Sequence, residues 1–167
     1  QDEYNLLADW SVTGKLVARL KLGFVDRQHE NLSSHDYSGV AGRLTADYFP
    51  TGKTALNLTV YREPAPVEDA NSSFLLNTGA SLNAVWRVTD KVTTRAGATY
   101  VNGDYDQIVE VGLKREDDTL SGSLSLSYTP VRMATIDVGL QAGRRDSTIS
   151  VIDYTFHSVF VSVRADF

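Results

Sequence analysis

The sequence predicts an all-β protein, a transmembrane antiparallel up-and-down β-barrel of about nine strands. Three observations predict it: apolar and polar residues alternate, short and long connections alternate, and aromatic residues gather near segment ends. Alternation with a period of two residues indicates a strand whose two faces meet different environments. No segment has the period of an amphipathic helix, and no apolar run reaches the roughly 18 residues that a membrane helix needs.

Nine segments carry this alternation in turn. Their apolar faces are Tyr4 to Val12, Leu16 to Phe24, Val40 to Tyr48, Leu56 to Val60, Phe74 to Trp86, Val92 to Tyr100, Leu120 to Tyr128, Ala134 to Ala142 and Val159 to Phe167. The second and the last face have a length close to the about 9 to 11 residues that a tilted strand needs to cross a bilayer. Segment length therefore fits a membrane.

The connections between segments alternate as regularly as the residues within them. The short ones are "TG", "FPTGK", "VTDK" and "TPVR", rich in the residues of tight turns. The long, polar ones are "DRQHENLSSHD", "REPAPVEDAN", "GDYDQIVEVGLKREDD" and "RRDSTISVID". We expect the third long connection to extend its flanking strands. Short turns at one end and long loops at the other are typical of an outer-membrane barrel.

Aromatic residues lie where a membrane girdle would form, because they sit at the ends of the apolar faces. The candidate girdle beside the short turns comprises Trp10, Tyr48, Trp86, Tyr128 and Phe167. Many remaining apolar residues are small, such as Ala18, Ala80 and Ala96, which suits contact with lipid better than an interlocked core. An amphipathic soluble β-protein is the alternative that these patterns leave open.

Nine strands is an odd number for a bacterial single-chain barrel, which usually has an even count and both termini in the periplasm. Here the last strand would end on the periplasmic side, whereas the first would begin on the extracellular side. We therefore expect residues 1–167 to form a single β-barrel domain that is the C-terminal part of a larger barrel.

The face opposite the apolar one would line the lumen of such a barrel. Its candidate basic residues are Lys15, Arg19, Lys21, Arg43, Arg87, Arg95 and Arg164, and its acidic ones are Asp9, Asp47, Asp137 and Asp166. This excess of positive charge, in a chain of net charge −5, would favour anions such as uronate- or pyruvate-bearing sugars. The alternative is that the charges pair across strands and hold the wall in shape.

Polar uncharged residues share that face. They form a serine track, Ser121, Ser123, Ser125 and Ser127, and a second set, Asn77, Ser81 and Asn83. Hydroxyls and amides suit a polysaccharide that slides over many weak, exchangeable hydrogen bonds, and they equally suit an ordinary hydrated wall.

The sequence gives little support to catalysis, a cofactor or a nucleic-acid partner. His29 and His35 lie in one predicted loop, but their spacing matches no metal-ligand motif. His157 and Ser158 are neighbours on a strand and so point to opposite faces, which prevents them from pairing as base and nucleophile. The chain has no cysteine for a thiolate metal site, and its acidic charge gives no reason to propose nucleic acid. We expect a protein that is not an enzyme and holds no metal.

Several stretches together resemble one family. They are "HDYSGVAGRL", "YFPTGKTALNLTVYRE", "SSFLLNTGASLNAVWRVTDKV", "REDDTLSGSLSLSYTPVR" and "RRDSTISVIDYTFHSVFVSVRADF". They resemble the C-terminal half of EpsL-type proteins, β-barrel porins encoded with machinery for exopolysaccharide biosynthesis and export. The resemblance spans nearly the whole chain. It implies a location in the bacterial outer membrane, a role in passing an exopolysaccharide across it, and a protein longer than this chain.

The partners expected on this basis are outer-membrane lipid, an anionic exopolysaccharide and periplasmic export machinery. Two other functions stay open. One is an outer-membrane scaffold or surface-binding barrel without flux, and the other is a general solute porin.

Overall fold

The computed structural model describes residues 2–27, 37–65, 75–105 and 114–165, and these form one antiparallel sheet in which each strand pairs with the next. The strands are β1 (Asp2–Thr13), β2 (Leu16–Arg27), β3 (Tyr37–Thr51), β4 (Thr54–Ala65), β5 (Leu75–Arg87), β6 (Val92–Tyr105), β7 (Arg115–Val131), β8 (Ala134–Ser147) and β9 (Tyr154–Ala165). A 3-10 helix, Ser150–Ile152, precedes β9. Within the described ranges, no helix is long and apolar enough to cross a bilayer. The predicted all-β, up-and-down topology is confirmed.

The strand register places the apolar residues of neighbouring strands on one side of the sheet, which we call the apolar face. One row across it consists of Leu20, Leu44, Val60, Ala80, Tyr100 and Leu120. Large side chains on this face are exposed, for example Leu82 at 49% and Val161 at 67%. Among the described residues Leu76 is the only buried apolar side chain. The sheet therefore has no packed core, and its apolar residues need an apolar medium outside the chain.

The sheet is open over the described residues, because β1 and β9 lie at its two edges and do not pair with each other. Each of these strands has one row of backbone N–H and C=O groups without a strand partner. Unpaired edges of this kind are templates for further strands.

The end of β8 differs from the sequence-based expectation. We expected Arg144 and Arg145 to begin a loop, but β8 continues to Ser147. The strand continues because Arg145 and Ser147 both donate hydrogen bonds to the carboxylate of Asp117 on β7. The expected extension of the strands around the third long connection is confirmed, since β6 reaches Tyr105 and β7 begins at Arg115.

Two of the short turns have the same construction. Lys15 Nζ donates a hydrogen bond to the carbonyl oxygen of Pro50 at 2.8 Å, and Lys91 Nζ donates one to that of Pro130 at 2.9 Å. The segments also match in sequence: residues 10–19 read "WSVTGKLVAR" and residues 86–95 read "WRVTDKVTTR". The partner turns share Tyr-x-Pro, and both interrupt the register just after the tyrosine. The sheet thus contains a repeated four-strand unit, β1–β4 and β5–β8, which the alternation of apolar and polar residues alone does not reveal.

An added arginine should lower stability on the apolar face and change it little on the opposite face. Leu82 lies on the apolar face and its neighbour Ser81 on the other, opposite the uncharged Thr59 and Thr99. For protein folded in lipid vesicles, we expect Leu82→Arg to lower the free energy of unfolding by about 2–4 kcal/mol, the cost of an arginine at the bilayer midplane. Ser81→Arg should change it little. Urea titration of both variants measures the difference, and equal losses would contradict the assignment of faces.

Candidate functional site on the polar face

The face opposite the apolar one, which we call the polar face, carries two neighbouring rows of mainly uncharged polar residues. The first row is Asp47, Asn57, Asn83, Gly97, Ser123, Gln141 and Ser158. The second is Thr45, Thr59, Ser81, Thr99, Ser121, Gly143 and Phe156. The rows join residues from seven strands, so a mainly polar surface, interrupted at Gly97, Gly143 and Phe156, crosses most of the sheet.

Two of the predicted basic residues are held by carboxylates. Arg19 Nη1 donates to Asp47 Oδ2 at 2.8 Å. Arg43 makes a two-pronged pair with Glu63, with N···O distances of 3.0 and 2.6 Å, and its guanidinium lies 4.7 Å from the ring centroid of Tyr61. These pairs join residues on different strands, as we expect if the charges hold the wall in shape and do not serve an anion. Glu63 was missed because we expected residues from 62 onward to form a loop.

The four-strand repeat places an arginine at the same point of each unit, but the carboxylate differs in position. In the first unit Asp47 accepts from Arg19 and, at 2.7 Å, from Asn57. In the second unit Arg95 donates to Ser127 at 2.7 Å, and Ser127 in turn donates to Asp137. The aspartate thus lies on the third strand of the first unit, β3, and on the fourth strand of the second unit, β8.

The other predicted basic residues lie nearer the short turns or beside Arg43. Lys15 is in the β1–β2 turn rather than in a strand, Arg87 is the last residue of β5, and Arg164 faces Thr135 near the end of β9. Lys21 is opposite Arg43 in the register. Asp166 and the loop histidines His29 and His35 lie outside the described residues. A role for the basic set in a ligand pathway stays a prediction.

Asp117 organises a cluster at the long-loop end of the polar face. Its side chain is 5% exposed, accepts from Arg115 at 2.8 Å and from Ser147 at 2.5 Å, and also accepts from Arg145. The guanidinium of Arg115 lies 4.1 Å from the ring centroid of Tyr105. The alternation of residues along β7 and β8 places Asp117, Arg115 and Arg145 on this face. From the sequence we expected Arg145 to lie at the start of a loop, and we assigned no face to Arg115 or Asp117.

Outside this face, at the same end of the sheet, Lys114 bridges two carboxylates. Its ammonium lies 2.9 Å from Glu116 and 3.1 Å from Asp104. Hydrogen bonds to Glu116 and to Asp104 raise the pKa of Lys114. Charged residues at this height mark where the apolar face ends.

The candidate girdle residues lie together on the apolar face at its short-turn end. Trp10, Tyr48, Trp86 and Tyr128 are each about half exposed. Phe167 lies outside the described residues. Their position matches the expectation, and their role as a membrane girdle stays a prediction.

The geometry offers no catalytic pair at His157 and Ser158. His157 is opposite Ala142 on the apolar face, whereas Ser158 is opposite Gln141 on the polar face. The predicted opposite orientation is confirmed. In the part of the chain that the structure describes, no group of three or more His, Cys, Asp or Glu side chains is placed to hold a metal ion.

A cavity of about 190 Å³ lies in the two polar rows between β5 and β9. Its lining residues are Asn83, Gly97, Thr99, Ser121, Gly122, Ser123, Gln141 and Phe156. None of these residues is titratable. The sequence pattern indicates that Ser121, Ser123 and Asn83 share a polar surface, but it does not place Phe156 beside them.

A family model described as "Putative beta-barrel porin 2" matches residues 7–167. Two solved structures of an outer-membrane protein from Vibrio cholerae are similar in fold. The loop L8 deletion mutant of OmpT has a TM-score of 0.57 and 17% identity over 96% of this chain and 52% of its own. In-vitro folded OmpT, in its trimer form, has a TM-score of 0.53 and 16% identity over 95% and 54%. This chain thus spans about half the length of the structures it matches. No curated protein matches it.

The Asp117 cluster predicts a specific loss of stability. Asp117→Asn removes the negative charge that two guanidiniums share, and breaking such a pair when it is buried costs about 3–5 kcal/mol. We expect the low end of that range because Arg145 is 23% exposed. Asp146→Asn is the matched control, since its pair with Arg144 is more than half exposed and worth about 0–1 kcal/mol. Urea unfolding in vesicles measures both, and similar values for the two variants would show that the cluster does not stabilise the wall.

Proposed function

Because this chain belongs to the "Putative beta-barrel porin 2" family, it is a porin-like β-barrel protein of the bacterial outer membrane, and we propose that it takes part in exporting an exopolysaccharide across that membrane. In this proposal the apolar face contacts lipid and the polar face lines the lumen. The orientation follows from the bilayer, since only the apolar face can meet hydrocarbon without desolvating charges.

The observation that carries the proposal is the pair of mainly polar rows across the polar face. They present amide and hydroxyl groups, which both donate and accept hydrogen bonds, as sugar hydroxyls do. A glycan moving past such rows exchanges one weak hydrogen bond for the next and is not trapped at any single point. The resemblance of several stretches of the chain to EpsL-type proteins supports the same ligand.

We further propose that additional strands complete the barrel. The two open edges at β1 and β9 provide the pairing surfaces that such strands need. The complete lumen, and with it any partner in the periplasm, would then involve residues beyond this sheet.

A barrel without flux, acting as a scaffold, is the second candidate. The observation that favours it is the pairing of Arg19 with Asp47 and of Arg43 with Glu63. Such pairs brace a wall, and they lower the excess of positive charge that would draw an anionic chain inward.

Single-channel recording of the full-length protein in planar bilayers distinguishes the two candidates. For an export channel we expect open steps that an added anionic hexasaccharide, such as hexagalacturonate, interrupts reversibly, because a threaded chain displaces ions from the lumen. A folded protein that gives no steps would remove export in favour of the scaffold. Steps that the sugar never interrupts would remove export in favour of a general solute porin.

Charge reversal tests whether the basic residues select the permeant ion. We expect the double variant Arg19→Glu and Arg43→Glu to shift the reversal potential in a salt gradient toward cation selectivity, because both side chains lie on the polar face. Arg144→Glu makes the same kind of charge change on the other face, where Arg144 is 64% exposed and pairs with Asp146, and should leave selectivity unchanged. Unchanged selectivity in the double variant would remove the anion pathway.

A further inference from the structure

We propose that the cavity between β5 and β9 binds one pyranose ring of a glycan, with Phe156 as the surface against which the ring stacks. This inference rests on the proposed function and deepens it, because it identifies a single place in the wall where a sugar unit pauses. It assigns a role to Phe156 and to the uncharged polar residues beside it, which the charged pairs of the polar face do not explain.

The ring of Phe156 lies over Gly143 on the neighbouring strand β8. A Cβ atom added to Gly143, the residue opposite it, would lie 2.6 Å from Phe156 Cε1 and 2.9 Å from Cζ. The glycine therefore leaves the space through which the ring reaches from β9 over β8 to the cavity. Phe156 is 36% exposed on a face whose neighbouring residues are mainly polar, so part of its side chain is open to a ligand.

The polar groups of the cavity are uncharged and available. Asn83, Ser123 and Gln141 belong to one row of the polar face and line the cavity together. Within the described residues, no hydrogen bond occupies any of these side chains. Two amides and a hydroxyl offer donors and acceptors in the same small space, which is what the vicinal hydroxyls of a sugar require.

Gly97 forms the floor between these polar groups. An added Cβ there would meet Asn83 Oδ1 at 2.9 Å and Ser123 Oγ at 3.1 Å. The absence of a side chain thus keeps both oxygens reachable from the lumen. It also provides a way to fill the site without removing any group that would contact a ligand.

The chemistry of the lining selects a sugar over other occupants. The absence of a titratable lining group disfavours an isolated ion, and the two amides and three hydroxyls disfavour a lipid chain. A pyranose has polar hydroxyls at its edge and C–H groups on its faces, and those C–H groups carry a slight positive charge that matches the negative face of an aromatic ring. The cavity volume of about 190 Å³ is far larger than one water molecule needs. It is large enough for one sugar ring but not for several rings at once.

The test measures how long a sugar stays in the channel of the full-length protein. With maltohexaose as a neutral probe, we expect Phe156→Ala and Gly97→Ala each to shorten the interruptions of current by about five- to tenfold, since lost contacts act mainly on dissociation. Phe156→Trp should restore or lengthen them. Phe160→Ala is the matched control: this ring lies on the same strand and face, over Gly139, but does not line the cavity. Interruptions by polyethylene glycol of similar mass should be the same in all variants.

A second measurement separates failure of the site from failure of the proposed function. Saturation-transfer NMR with maltohexaose on detergent-solubilised protein detects binding even when the barrel conducts no current. Signal in the parent protein and in Phe160→Ala, lost in Phe156→Ala and Gly97→Ala, supports the site whether or not the channel is open. Signal, or interruptions, equally strong in all four proteins would overturn the site while leaving export standing. No binding of maltohexaose to the parent protein would also overturn it.

Discussion

Backbone hydrogen bonding in a medium without water is the constraint on which the rest of this structure depends. Hydrocarbon offers no partner to an N–H or C=O group, so a chain that crosses it in strands must satisfy those groups from strand to strand. Here each strand pairs with the next in an antiparallel ladder. Because side chains alternate along a paired strand, the same ladder that satisfies the backbone also decides which residues share a face. The apolar face, the polar rows and the cavity all follow from that register.

The sequence was sufficient to predict the strands but not their ends at the long loops. Alternation is visible wherever one face must be apolar, as from Leu16 to Phe24. Beyond the apolar face both sides of a strand are polar, and the pattern that identifies a strand disappears. Arg144 and Arg145 illustrate this, because a pair of charged neighbours is typical of a loop. In the structure both pair with β7 and β9, and Arg145 donates to the carboxylate of Asp117 on β7.

The candidate site was predictable only in part for a related reason. The alternation of residues along each strand is enough to place Arg19 and Arg43 on the polar face. It does not determine which carboxylate each arginine contacts. That depends on register between strands, as when Arg43 lies opposite Tyr61 yet reaches Glu63 two residues further on. The cavity shows the same limit, since Asn83, Ser123 and Phe156 come from three strands that are far apart in the sequence.

The repeated four-strand unit has a consequence for how such walls change in size. Each unit contains its own arginine and its own aspartate, Arg19 with Asp47 in one copy and Arg95 with Asp137, through Ser127, in the other. Duplication or deletion of one stretch of gene can therefore add or remove a whole unit without leaving this arginine or this aspartate unpaired in the wall. The position of the aspartate differs between the copies, because it lies on the third strand of the first unit and on the fourth strand of the second. Barrel circumference and local electrostatics can in this way evolve separately.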